Sequence, residues 1–249
     1  MPNLVTPSWH SPPSKINLTT QEIHIWRGDL NVESSKIEQL ERNLAPDELK
    51  RANRFHFAKD RQHFIAGRGF LRKIISFYGK LEPHELQFNY SAHGKPILAN
   101  STVANKLAFN LSHSQGLALY AIGYQCSVGI DLEHIRPIKD VENLAKRFFS
   151  PGEYDCIASL PPMERQKAFF QFWTCKEAYL KAIGEGLAGL EKVEVALKAN
   201  ASPQLLQTSG NSTASNWSLH QFIPHIDYVA TLAVNRQNRK IRFWDFRLF

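Results

Sequence analysis

The apolar periodicity of this 249-residue chain changes in blocks, and the order of those blocks restricts the fold more than any single motif does. Residues 21–27 alternate as a strand does, 34–43 and 45–55 read as short helices, and a long helix follows to about residue 79. The second short helix opens on Pro46 with Asp47 and Glu48 behind it, a pattern suited to a helix N-terminus. A short strand at 86–90 and a turn at 91–96 come next, then three strands at 107–111, 117–122 and 127–133. Three helical blocks follow at 141–149, 151–160 and 163–183. The tail from 193 onward holds four strand-like stretches, interrupted by a polar loop at 200–216. Strands and helices are grouped, not alternating one for one, so an α+β fold is expected in place of a doubly wound sheet.

Apolar residues make up 43% of the chain and aromatics 11%, enough for a core at this length without disulfides or a structural metal, which excludes disorder throughout. Cys126, Cys156 and Cys175 are odd in number and lack any Cys-x-x-Cys spacing, so they read as reduced, buried residues. No apolar run approaches the roughly 18 residues that span a bilayer, and residues 1–15 contain no hydrophobic signal core. A soluble, cytoplasmic protein with no membrane partner is expected. Residues 1–20, rich in Pro, Ser and Thr, read as an irregular N-terminal arm.

The net charge of +7 is unevenly placed. Residues 50–80 hold nine Lys and Arg against Asp60 alone, an excess larger than that of the whole chain. Within this stretch Phe57, Phe64, Leu71, Ile74, Ile75 and Tyr78 recur at helical spacing, so the cations decorate the remaining helix faces. A solvated basic face, a nucleic-acid surface and a site for a small polyanion all fit this pattern.

Three short stretches carry chemistry. In Val128-Gly-Ile-Asp-Leu-Glu133 the strand period puts Gly129, Asp131 and Glu133 on one face and Val128, Ile130 and Leu132 on the other. Two carboxylates beside a glycine suit a hard divalent cation, with the glycine leaving room for a ligand; a solvated acidic face is the alternative. In the helical stretch Phe172-Trp-Thr-Cys-Lys-Glu-Ala-Tyr-Leu-Lys181, Trp173, Glu177 and Lys181 lie along one side. The Glu–Lys pair alone is an ordinary helix pair, but Glu177 together with Asp131 and Glu133 could complete a Mg²⁺ site. Asn110-Leu-Ser-His-Ser114 ends a strand, where a Ser-His with nearby amides suits a phosphate. The sequence contains no nucleophile elbow or P-loop.

Taken in order, these stretches resemble the larger, Sfp-like 4′-phosphopantetheinyl transferases. The matching segments are 51–72, Gly94-Lys-Pro96, Phe109-Asn-Leu-Ser-His113, Gly129-Ile-Asp-Leu-Glu133, Phe148-Phe-Ser-Pro-Gly-Glu153, and Trp173-Thr-Cys-Lys-Glu-Ala-Tyr-Leu-Lys181 with Gly184-Glu-Gly-Leu187. The resemblance implies two similar α+β halves related by a pseudo-twofold, with the active site in the cleft between them. The division would be 1–20 for the arm, 21–125 for the N-terminal half and 126–249 for the C-terminal half, in a monomer that is internally a pseudo-dimer. It further implies Mg²⁺-dependent transfer of the phosphopantetheine arm of coenzyme A to a serine of an apo acyl, peptidyl or polyketide carrier protein, releasing adenosine 3′,5′-bisphosphate. Such a step activates fatty-acid, polyketide or nonribosomal peptide synthesis, and the basic stretch would then serve coenzyme A and an acidic protein in place of nucleic acid.

Carried over residue by residue, the resemblance makes Asp131, Glu133 and Glu177 the metal ligands. Arg51, Arg68, Gly94, Lys95, Pro96, Ser112, His113, Asp131, Glu177 and Lys181 would bind coenzyme A. Arg51 would meet the 3′-phosphate, Lys95 with Ser112 and His113 the nucleotide's phosphates, and Lys181 the pyrophosphate. The catalytic set would be Glu177, Lys181 and Asp131, with Glu177 or a water held by it as the base. The sequence departs from the family pattern at Glu48, where a Lys can occur, at His63, where some relatives carry an Arg for coenzyme A, and at Tyr90 and His93, where others place cations before Gly94-Lys-Pro96.

Overall fold

A computed structural model describes residues 1–2, 4–79, 81–99, 107–209 and 213–246; Lys80 of the basic stretch and positions 210–212 of the expected polar loop lie outside them. The first half begins with strand β1 (Glu22–Asp29), passes through helices α1 (Ser34–Glu41), α2 (Pro46–Ala52) and α3 (Ala58–Tyr78), and continues through a small hairpin, β2 (Phe88–Tyr90) and β3 (Pro96–Leu98). It closes with the antiparallel pair β4 (Leu107–Ser114) and β5 (Leu117–Tyr124). The second half opens with β6 (Val128–His134) and runs through α4 (Val141–Phe148), α5 (Pro151–Ala158) and the long α6 (Pro162–Ile183). Five strands follow: β7 (Glu194–Ala196), β8 (Gln204–Gln207), β9 (Ser218–Phe222), β10 (Tyr228–Val234) and β11 (Lys240–Asp245).

Two sheets organise these elements, one in the order β11-β1-β5-β4 and one in the order β6-β10-β9. Alternation along each strand sends its two rows of side chains into different cores. Ile23 and Ile25 of β1 join Val128, Ile130 and Leu132 of β6 in the layer between the sheets, while Trp26 faces α3. The aromatic stripe of α6, including Phe169 and Phe172, fills the corresponding layer behind the second sheet. The fold is therefore α+β, two similar halves with a long helix packed on the outer face of each sheet.

Local chemistry sets most of the boundaries. Ser150 caps α5 by accepting the Glu153 N–H at 3.3 Å while Glu153 Oε2 accepts the Ser150 N–H at 2.8 Å, a reciprocal box with Pro151 in the first turn. Helix α6 stops at Gly184, whose φ of +80° is the left-handed C-terminal conformation. The expected loop at 200–216 is in part ordered: β8 lies within it, antiparallel to β7, with Leu205 buried and a short 3₁₀ turn at Ala214–Asn216. A four-residue strand with one buried side chain is too short for its alternation to stand out from a polar segment.

Strand β11 returns to the first sheet and pairs in parallel with β1, from Glu22 opposite Lys240 to Arg27 opposite Asp245. The N-terminal arm lies across both halves, with Val5 bridged to Phe222 of β9 and His10 to Trp244 of β11. Beneath it the buried Arg27 pairs with Asp245, donates to the Pro224 carbonyl at 2.7 Å and stacks 4.4 Å from the Trp9 ring.

Candidate active site

Strands β4 and β6 each form an edge of their sheet, and there the two halves meet. An edge strand leaves every second N–H without a ladder partner. On β6 these are Ile130, Leu132 and His134, and they are met by side chains of β4: Asn110 Oδ1 at 2.8 Å, Ser112 Oγ at 3.2 Å and Ser114 Oγ at 3.2 Å. The two hydroxyls in turn donate to the carboxylates between those amides, Ser112 to Asp131 Oδ1 and Ser114 to Glu133 Oε2, each at 3.0 Å. A row of side chains thus replaces a backbone ladder and fixes both carboxylates at the seam.

Asp131 and Glu133 share a strand face as expected, but that face turns toward α6 instead of solvent, and Asp131 is 3% exposed. Gly129 has a different use from the expected one. A Cβ there would stand 2.0 Å from the Ala178 carbonyl oxygen and 2.4 Å from the Ala182 nitrogen, so the glycine lets α6 lie directly on β6 and leaves no space for a ligand. This contact brings Lys181 to the seam: its Nζ donates to Asp131 Oδ1 at 2.6 Å and to Ser112 Oγ at 3.0 Å. Ser112 was expected at a phosphate; its hydroxyl is instead buried and engaged by Asp131, Leu132 and Lys181. Trp173, one turn before Glu177, packs against Phe148 and Phe169 with centroid distances of 5.7 Å.

Glu177 sits across from this pair. Burial and then the neighbouring Asp131 carboxylate push its pKa up to about 7, against the pull of Lys181. Burial and Asp131 also raise Glu133, while its Oε2 accepts the Ser114 hydroxyl and lies 3.5 Å from Arg136 Nη1 in an exposed ion pair. Two carboxylate oxygens here, Asp131 Oδ2 and Glu177 Oε1, are buried with no hydrogen-bond partner among the described residues. Among those residues no three His, Cys, Asp or Glu side chains stand close enough to form a complete metal cage. The residues nonetheless fit Mg²⁺, which is commonly held by one or two carboxylates with water and phosphate oxygens completing the shell. Two unpartnered hard oxygens beside mutually repelling carboxylates are the donor set such an ion needs.

Asn110 at the seam, with Glu177 and Lys181 of α6, lines a cleft of about 350 Å³ formed from both halves, together with Arg51, His63, Arg68, Lys95 and His113. Arg51 projects from α2 over the Phe64 ring at 5.3 Å. His113 points opposite to Ser112 along β4 and lines the cleft; desolvation, then the Lys181 and His63 charges, hold its pKa below the ordinary value. His63 bonds Asn31 Oδ1 at 3.0 Å and is likewise lowered, by desolvation and then Lys59. Gly94 occupies the turn before β3 with φ of +76°, a conformation that costs little only without a Cβ, and Pro96 begins the strand.

Two expected phosphate ligands have protein partners. Lys95 Nζ donates to the Lys181 and Ala182 carbonyls at 2.6 and 3.2 Å, capping the C-terminus of α6, and burial lowers its pKa to about 8. Arg68 is 6% exposed, with its Nε 3.0 Å from Glu48 Oε1; the angle is poor for a hydrogen bond, so the contact is ionic. Arg72 is wholly buried on the other Glu48 oxygen at 2.6 Å. Arg61 pairs with Glu41. The charge excess counted over residues 50–80 therefore overstates what faces a ligand, because Glu48 and Glu41 lie just outside that window and fold back onto it.

Asn110, Ser114 and Glu48 were not singled out as site residues from the sequence. The first two were legible as polar residues at i and i+4 of one strand, with Ser112 between them. Glu48 carried no such signal.

The same seam and cleft fall within regions of recognised similarity. Residues 31–123 match the family described as 4′-phosphopantetheinyl transferase, N-terminal, and residues 127–233 match the 4′-phosphopantetheinyl transferase superfamily. The 4′-phosphopantetheinyl transferase HetI of Nostoc sp. is 46% identical across 96% of this chain and 98% of its own length. Sfp of Bacillus subtilis, also a 4′-phosphopantetheinyl transferase, is 30% identical over 58% of this chain and 62% of its own. The Homo sapiens L-aminoadipate-semialdehyde dehydrogenase-phosphopantetheinyl transferase is 31% identical over 59% and 50%. Matches to both halves, together with one relative that runs nearly end to end, show that this chain belongs to the 4′-phosphopantetheinyl transferases.

Proposed function

We propose that the protein transfers the phosphopantetheine arm of coenzyme A to a serine of an apo acyl, peptidyl or polyketide carrier protein, with Mg²⁺, releasing adenosine 3′,5′-bisphosphate. The observation that carries this reading is the pair of unpartnered oxygens, Asp131 Oδ2 and Glu177 Oε1, buried at the seam where Glu177 and Lys181 line a cleft that Arg51 also lines. Asp131 and Glu177, with Glu133 next to them, would hold Mg²⁺, which when bound neutralises charge on the pyrophosphate.

Arg51 and His113 line the wall where the nucleotide's phosphates would rest. Of the three ammonium protons of Lys181, Asp131 and Ser112 take two, and the third is available to a pyrophosphate oxygen. The carrier serine Oγ attacks the phosphorus that bears pantetheine, the bond from that phosphorus to the bridging oxygen breaks, and adenosine 3′,5′-bisphosphate leaves. A carboxylate raised toward neutrality suits the serine proton, so Glu177, or a water held by it, is the base. Such a step, read with the family, would activate carriers of fatty-acid, polyketide or nonribosomal peptide synthesis.

The direct test is incubation with an apo carrier protein, coenzyme A and Mg²⁺, read by intact mass. A gain of one phosphopantetheine arm is expected; an unchanged carrier across fatty-acid, polyketide and peptide types would sink the proposal.

A further inference from the structure

Glu48 lies on α2, a helix of seven residues that is too short to hold its own position. Besides the buried Ala52, the partly buried Leu49 and Arg51 over the Phe64 ring, this carboxylate, which is 1% exposed, ties α2 to α3. Its Oε2 accepts the Ala45 N–H at 3.1 Å and Arg72 Nε at 2.6 Å, and its Oε1 lies 3.0 Å from Arg68 Nε. Both arginines belong to α3, one turn apart.

Each arginine carries the link further. Arg72 Nη1 donates to the Pro83 and Leu86 carbonyls, both at 2.9 Å, and so fixes the segment entering β2. Arg68 donates through Nη2 to the Tyr90 hydroxyl, at the end of β2 beside the turn that carries Gly94 and Lys95. One buried carboxylate therefore connects three elements that line the cleft: α2 with Arg51, α3 with Arg68, and the β2–β3 hairpin with Lys95. Without it, two guanidinium groups one helical turn apart would face each other in the interior with no counter-charge.

We propose that Glu48 is a positioning residue of the cleft, a buried anion that, held by Arg68 and Arg72, sets α2 and with it Arg51 in place for the phosphates of coenzyme A while touching no substrate itself. The proposal rests on the transferase reading above. It also gives an acidic residue just before the basic segment a use: it faces inward and organises the cations.

Glu48→Gln keeps the shape and the acceptor for Ala45 but removes the charge. In the carrier-protein assay it is expected to raise KM for coenzyme A about tenfold, with kcat within about twofold of wild type and KM for the carrier unchanged. A purely structural role would lower the folded fraction, and hence kcat, at an unchanged KM. Binding of adenosine 3′,5′-bisphosphate by calorimetry is expected to weaken by a similar factor. Glu48→Asp, which keeps the charge but draws it back, should fall between the two, and it decides the matter by the same criterion if Glu48→Gln does not fold. A KM and a bisphosphate affinity within about twofold of wild type in folded protein would overturn the role of Glu48. A wild-type protein that binds the bisphosphate more tightly than Glu48→Gln yet modifies no carrier would overturn the transferase reading and leave that role standing.

Discussion

Lys181 Nζ and Asp131 Oδ1 are 2.6 Å apart, one on the last turn of a long helix and the other on an edge strand, with the Ser112 hydroxyl bonded to both. The ion pair uses one carboxylate oxygen and leaves Oδ2 without a partner among the described residues. A salt bridge alone would not require that second oxygen to be kept buried at a desolvation cost.

Asp131→Ala should lower transfer at least about 100-fold, because it removes charge stabilisation worth several kcal/mol at the reacting phosphates. The fold should persist, since Lys181 keeps Ser112 as a partner and its side chain is 29% exposed. Kinetics on a carrier protein together with far-ultraviolet circular dichroism check this. Folded protein with activity within a few-fold of wild type would count against the assignment.

Mg²⁺ binding should stabilise the protein more at pH 8 than at pH 5.5. Without metal, Glu177 has a folded pKa raised to about 7, so its proton favours the folded state below that value and this stabilisation is lost as pH rises through it. The cation needs the ionised carboxylate and competes with the proton. Thermal shifts on adding Mg²⁺ should therefore grow with pH, and Glu177→Gln should flatten that dependence. Chelation by EDTA should abolish transfer and added Mg²⁺ restore it.

Gly129→Ala should destabilise the protein by about 3 kcal/mol, since the new methyl overlaps the backbone of α6 and not a side chain that can turn aside. Urea unfolding measures the loss. A midpoint equal to that of wild type would show that α6 and β6 are not in close backbone contact at this glycine.

His24 should make stability fall in mild acid. Its Nδ1 lies 2.8 Å from the Tyr78 hydroxyl, which also accepts the Trp26 Nε1 proton at 2.8 Å. Burial lowers its pKa from 6.5 to about 4. The unfolded chain takes up this proton first, so stability present above pH 6.5 is lost as pH falls toward 4, by up to about 3 kcal/mol. In His24→Gln, urea midpoints measured across that range should lack this share of the decline.

The sequence by itself determined the α+β class, the long basic and C-terminal helices and the strand faces at 128–133, because spacing and residue type fix faces and chemistry locally. It could not say what each face would meet. The seam between β4 and β6 decided that Ser112 serves Asp131, the meeting of the halves turned Lys95 into a cap for α6, and the closeness of α6 to β6 decided the use of Gly129. Glu48 shows the limit most clearly. Its chemistry as an anion was evident, but its inward direction depends on two arginines of another helix, and only tertiary packing brings such partners within reach.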